Sequence, residues 1–258
     1  MSIYMQLLNK PVFTVNDVNI YYDNVNSARS AIYRLIKANM VKKIRNNLYT
    51  CVIGANGEVN ANRFQIACGI NDTAYISHHT AMEYYGITDQ VYYDVYVSSK
   101  TTFNDFEFDG YTYHFVKPAI DKGVEKIPYS GGISVTDKER TVLDSLKDMD
   151  KISGAEEVLS NIENVGELNE GKLIEYLAEY DNQFLYQKVG FVMTNYRGIG
   201  KSLIMMRAFK EKIQKQMGNS KRYFSNEKGP STYNKEWQLV VPDRLLELKN
   251  GGIIDADV

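Results

Sequence analysis

Apolar side chains near the N-terminus recur with helical spacing and then switch to alternation. Ala28, Ile32, Leu35 and Ile36 fall at i, i+4, i+7 and i+8, one face of a helix over about 27–38 that Ser27 can cap. Before it, Thr14 can cap a shorter helix that puts Val15, Val18 and Tyr22 on one side. Residues 2–10 form a first short helix stopped by Pro11, whose ring cannot continue it. Asn39 stands at the end of the third helix, where a left-handed residue is favoured. Residues 41–45 and 48–52 then read as two short strands around Asn46-Asn47, a turn that accepts positive φ. Three helices followed by a basic hairpin is the plan of a winged helix-turn-helix, here over residues 1–54.

In that plan the third helix enters the major groove and the hairpin meets phosphates or the minor groove. The outer side of the helix offers Arg29, Ser30, Tyr33, Arg34 and Lys37, and the hairpin offers Lys42, Lys43 and Arg45. These eight residues are the expected contacts to double-stranded promoter DNA.

Past a linker at 54–57, residues 60–69 read as a helix burying Phe64, Ile66 and Ala67, and 75–86 as a capped helix ending at Gly86. The β-prone stretch 91–97, and 106–109 with 111–116 around Gly110, predict a small antiparallel sheet, to which 133–135 adds a strand. Thr136 can cap a following helix, and helical periodicity continues to about Met217 with breaks near Gly154, Gly166 and Asn182. The last forty residues read as irregular and partly extended. The expected fold class is therefore α+β: a winged helix-turn-helix (1–54), an α+β domain with a small sheet and a helical C-terminal part (55–217), and an extension (218–258).

Charge changes the picture more than composition does. The chain of 258 residues is 44% apolar and 24% charged, globular proportions, and its formal charge of -2 argues against a nucleic-acid partner. The local balance reverses that: residues 1–50 hold seven basic residues against two acidic, 146–181 three against ten, and 188–228 ten against two. Two cysteines are too few for a disulfide scaffold, no apolar run approaches a membrane span of about 18 residues, and the N-terminus lacks the pattern of a secretory leader. A cytoplasmic protein without a membrane partner is expected.

The order of motifs is similar to a known family. The hairpin residues Arg45-Asn46-Asn47-Leu48-Tyr49, the run from Tyr75-Ile76-Ser77-His78-His79-Thr80 to Gly86-Ile87-Thr88, the β-rich 91–98 segment and Val135-Thr136-Asp137-Lys138-Glu139-Arg140-Thr141-Val142-Leu143-Asp144 together resemble the AbiEi antitoxins of phage abortive-infection systems, over roughly residues 10–215. Where that family often has Gly in the hairpin turn, this chain has Asn47, which a positive-φ turn tolerates. The resemblance implies a type IV antitoxin for phage defence. Its winged helix would repress its own operon, and its following domain would neutralise a nucleotidyltransferase toxin encoded beside it without requiring a stable complex. A stand-alone winged-helix transcriptional regulator, whose second domain binds a ligand or protein, is the alternative.

Asn195 to Ser202 ends in Gly-Lys-Ser but has Asn195 where a phosphate loop needs glycine, so a glycine-rich start to a helix over 201–217 describes it better. That helix carries Lys201, Arg207, Lys210, Lys212 and Lys215 opposite Leu203, Ile204, Met206, Phe209 and Ile213, a basic surface able to meet a toxin, its RNA substrate or flanking DNA. His78 and His79, about 100° apart on a helix, cannot jointly grip one metal and are expected to pack and cap. Glu139 and Arg140 at a helix start read as a structural ion pair. No catalytic residue, metal or cofactor is expected, and an enzyme is the least favoured class.

Overall fold

In the computed structural model, residues 2–88, 90–196 and 207–248 are described. They form two compact units, one of Met1–Thr80, Tyr92–Pro118 and Val124–Val135, the other of Ala81–Val91, Ala119–Gly123 and Thr136–Val258. The borders expected at residues 54 and 217 therefore fall inside these units.

The first unit begins with α1 (Ile3–Leu7), α2 (Val15–Asn19) and α3 (Val25–Lys37), then the hairpin β1 (Val41–Arg45) and β2 (Leu48–Cys51). Thr14 opens α2 with a capping box: the Asp17 amide donates to the threonine hydroxyl at 3.4 Å, and the Thr14 amide donates to the Asp17 carboxylate at 2.7 Å. The cap of α3 is Asn24 rather than Ser27: its Oδ1 accepts the Ser27 amide at 2.9 Å, so the helix starts two residues earlier than expected. Ala28 and Ile32 bury against Leu7, Phe13, Val15, Val18, Val41 and Cys51, with Leu35 and Ile36 half-buried beside them. Asn39 and Asn47 take φ of 54° and 58°, the left-handed turns their amides tolerate. Phe13 bridges Tyr49, exchanging hydrogen bonds of 2.9 Å both ways, and so ties the chain ahead of α2 to the hairpin.

The same unit holds α4 (Arg63–Cys68) and a sheet of β3 (Tyr75–Ile76), β4 (Asp94–Ser98), β5 (Phe106–Phe108), β6 (Tyr111–Val116), β7 (Val124–Lys126) and β8 (Ser134–Thr136). Their order is β5-β6-β4-β3-β8-β7. The sheet is mixed, not simply antiparallel: β4–β6 and β3–β8 are parallel, β3–β4 and β5–β6 antiparallel. Tyr75 and Ile76, expected at the start of a helix, are buried strand residues, and helix α5 (His78–Tyr84) begins after them. Two β-favouring side chains that lie between neighbouring strands outweigh the helical reading of the run that follows. Asp109 and Gly110, at φ 53° and 81°, make the tight β5–β6 turn.

In the second unit α6 (Lys138–Ile152), α7 (Ala155–Glu163), α8 (Glu170–Tyr180), α9 (Gln183–Asn195) and α10 (Arg207–Gln216) share one apolar core. The breaks lie where glycine or asparagine predicts them: Gly154 and Gly166 have positive φ, and Asn182 caps α9. Asp137, not Thr136, caps α6, accepting the Arg140 amide at 2.8 Å. Glu139 and Arg140, expected to pair with each other, each have a partner elsewhere. Arg140 instead bonds Asp144 one turn on, Nε to Oδ2 at 2.9 Å, and Glu139 accepts the Asn169 amide at 2.6 Å. The tail read as irregular is ordered through Leu248: β9 (Arg222–Tyr223), β10 (Ser231–Asn234) and β11 (Leu239–Pro242) make a three-stranded sheet of order β10-β11-β9, followed by α11 (Asp243–Leu248). The fold class is α+β, and none of the described helices is long and apolar enough to cross a membrane.

Candidate nucleic-acid interface

Helix α3 has two faces because Ala28, Ala31 and Ile32 face the core, which turns Arg29, Ser30, Tyr33, Arg34 and Lys37 outward. All five are exposed. Residues 29, 33 and 37 form one row and 30 and 34 a second, and the Lys37 ammonium lies 4.9 Å over the Tyr33 ring, which orients both side chains. Between this helix and the hairpin runs a groove of about 670 Å³, bordered by Arg29, Tyr33, Lys43, Asn46, Asn47 and Tyr49. Asn47 Oδ1 accepts the Val15 amide at 3.0 Å, so the hairpin turn is pinned to the start of α2.

The eight residues expected on DNA divide into two groups. Arg29, Ser30, Tyr33, Arg34, Lys37 and Lys43 are exposed, whereas Lys42 and Arg45 are half-buried in the protein's own contacts. Lys42 Nζ donates to the Gly57 carbonyl at 2.6 Å. The Arg45 guanidinium lies 5.3 Å and 5.0 Å from the ring centres of Phe103 and Phe106, and burial lowers its pKa. Simple alternation would put Lys43 and Arg45 on one side of β1, but the pairing with β2 shifts register between them, and Lys43 is left exposed while Arg45 is half-buried. Asn46, Asn47 and Tyr49 also border the groove; they lie off the outer face of α3 and carry no charge, so neither helical spacing nor charge points to them from sequence.

Of the second basic set, Lys201 lies outside the described residues, as do residues 197–202 of the Gly-Lys-Ser stretch. Arg207 pairs with Glu211 at 2.9 Å, and Lys210 pairs with Glu236 and lies 6.0 Å from the Trp237 ring centre. Lys212 and Lys215 are exposed beside a hollow of about 250 Å³ that Ile174, Ala178 and Tyr186 line. Lys188, counted in the same basic block, is buried in α9; its Nζ donates to the Leu146 carbonyl at 3.1 Å, and burial lowers its pKa to about 8.

His78 and His79 are buried and held by the sheet. His78 Nδ1 is 2.8 Å from the Ser77 hydroxyl, and His79 Nε2 is 3.0 Å from the Asp94 carbonyl, with its ring stacked on Tyr92. Burial lowers the His79 pKa to about 4, which keeps it neutral. His114, not singled out from sequence, bridges Asp105 and Asp94 at 2.8 and 3.0 Å. Burial pulls its pKa down, but the two carboxylates outweigh that and raise it. Among the described residues no group of three or more His, Cys, Asp or Glu is placed to hold a metal.

No family model and no curated protein matches this chain. A solved structure, the RV2827C protein from Mycobacterium tuberculosis, has a similar fold: the TM-score is 0.65 at 13% identity, over 97% of this chain and 94% of that one. At that identity the likeness concerns the fold alone.

Proposed function

We propose that this protein binds double-stranded DNA through a winged helix-turn-helix at its N-terminus and acts as an antitoxin that represses its own operon. One observation carries the DNA-binding part. Arg29, Ser30, Tyr33, Arg34 and Lys37 are exposed together on the outer face of α3, and two of them, Arg29 and Tyr33, border a groove whose far side is Lys43 and the Asn46-Asn47 turn. A helix of this kind inserts its polar face among base edges, while the hairpin cation neutralises phosphate. The antitoxin part is supported by the resemblance of the 75–88 and 135–144 motifs to AbiEi proteins. Lys212 and Lys215 on α10, beside an apolar hollow, are the surface proposed to act against a nucleotidyltransferase toxin or its RNA substrate.

The two roles separate by mutation of the whole chain. Co-expression with the product of the adjacent gene is expected to restore host growth, and Arg34→Ala is expected to keep that rescue. Replacing Lys212 and Lys215 together by Glu is expected to abolish it. An adjacent gene product that is not toxic, or toxicity that this chain does not relieve, removes the antitoxin reading and leaves a DNA-binding regulator.

A further inference from the structure

Within the first unit, α4 and the β5–β6 turn enclose a hollow of about 360 Å³, within the range of small-molecule sites. Its wall is mostly ring and aliphatic surface from Phe64, Ile66, Tyr111 and Tyr113, with Arg63 as its one cation. The Arg63 guanidinium lies 4.7 Å from the Phe64 ring centre and 5.0 Å from that of Tyr111, and its Nη1 donates to the Tyr111 hydroxyl at 2.8 Å. The cation is thus oriented in advance, and the Tyr111 hydroxyl, as acceptor, keeps its own proton to donate.

Tyr113 supplies a second, independent observation. Its side chain is fully buried, yet its hydroxyl has no hydrogen-bond partner. A buried phenol normally finds one, and an orphan of this kind calls for an explanation. The ring cannot swing away, since it stacks on Phe106 at 4.7 Å with 6° between planes. Burial first, then the neighbouring Asp109 carboxylate and Tyr111, push its pKa upward, so it stays a protonated donor.

We propose that this hollow binds a small planar aromatic carboxylate, its ring against the Phe64 and Tyr111 side chains and its carboxylate taking the Arg63 charge and the Tyr113 hydroxyl proton. A guanidinium and two phenol protons are donors that call for an anionic acceptor. Asp109, exposed at the same rim, disfavours a second negative charge and so selects a carboxylate over a phosphate. The site also has a physical path to the hairpin: Tyr113 stacks on Phe106, and Phe106 carries the Arg45 guanidinium, the last residue of β1 before the Asn46-Asn47 turn. Occupancy would then bias the hairpin, a link that rests on the DNA-binding reading.

The test is calorimetric titration of the full chain with benzoate, 4-hydroxybenzoate and adenosine 5′-monophosphate, alongside the Tyr113→Phe chain. The expected result is binding of an aromatic carboxylate at about 1 mM or tighter, no comparable binding of the nucleotide, and about tenfold weaker binding by the variant. The Tm of the ligand-free variant is expected to be unchanged or higher, because the substitution removes only a stranded hydroxyl. Absence of carboxylate binding, nucleotide binding in its place, equal affinity of the variant, or a lower Tm without ligand would each overturn the proposal. Calorimetry reads the ligand directly, so a failure to bind DNA counts against the DNA-binding reading and leaves this result standing. Ligand binding that leaves DNA affinity unchanged overturns the link to the hairpin.

Discussion

Replacing Arg140 by alanine is expected to lower the stability of the second unit by about 3–5 kcal/mol, the usual loss when one partner of a buried ion pair is removed. Arg140 and Asp144 are 0% and 4% exposed, so the carboxylate left behind could not be rehydrated without opening the core. The pair is also a junction. Arg140 Nη1 donates to the Lys122 carbonyl at 2.6 Å, the Tyr180 hydroxyl donates to Asp144, and the guanidinium lies 5.6 Å from the Tyr180 ring centre. One substitution thereby loosens the 119–123 segment, α6 and α8 together. Arg140→Met with Asp144→Asn should recover part of the loss, since the amide oxygen still accepts from Tyr180 and no charge is stranded. Urea unfolding measures both, and a loss below about 1 kcal/mol for Arg140→Ala would mean that the pair is hydrated rather than buried.

The second large effect concerns a helical glycine. Gly190 sits within α9, where alanine would ordinarily stabilise by about 1 kcal/mol. Here the sign should reverse. A Cβ at Gly190 would stand 2.0 to 2.4 Å from three ring carbons of Trp237, which is fully buried and has no room to retreat. Overpacking of this kind costs about 1–3 kcal/mol and sometimes more, so Gly190→Ala is expected to destabilise by about 2 kcal/mol. Trp237 is the chain's single tryptophan, and its emission should shift as the indole is displaced. Adding Trp237→Phe, which shrinks the ring, should make the second substitution cost less than it does in the wild-type chain. A Gly190→Ala chain more stable than wild type would show that the indole is not seated on the helix.

These two sites mark where the sequence stops being readable. Around α2 and α3 each element is specified locally, by the Thr14 cap, the spacing of Ala28 and Ile32, and the asparagines at 39 and 47, and the expected elements agree with the described ones within a few residues. The C-terminal sheet has no such local code. Strands β9, β10 and β11 are two to four residues long, and the buried Trp237 just ahead of β11 packs on a glycine forty-seven positions earlier. The mixed pairing of the larger sheet was hidden for a similar reason: β3 has only two residues, and its parallel partner β8 comes after four other elements of the sheet and its turns. At the candidate interface, sequence identified the outward face of α3. It could not reveal that Lys42 and Arg45 are taken up by Gly57 and by the Phe103–Phe106 rings, because those partners lie far along the chain.

That division yields the most direct test of the account. Affinity of the full chain for the DNA upstream of its own gene, and for unrelated DNA, would be measured across a range of salt concentrations for Arg34→Ala, Lys43→Ala and Lys42→Ala. Arg34→Ala is expected to cost about 1–3 kcal/mol on the upstream site and to relax sequence preference. Lys43→Ala should weaken all sequences alike and reduce the salt slope by about 1, as the loss of one phosphate contact does. Lys42→Ala should leave the salt slope unchanged, because its ammonium is bound to Gly57. Equal, sequence-independent losses for all three, or no binding to either DNA, would contradict the assignment of α3 as the reading helix.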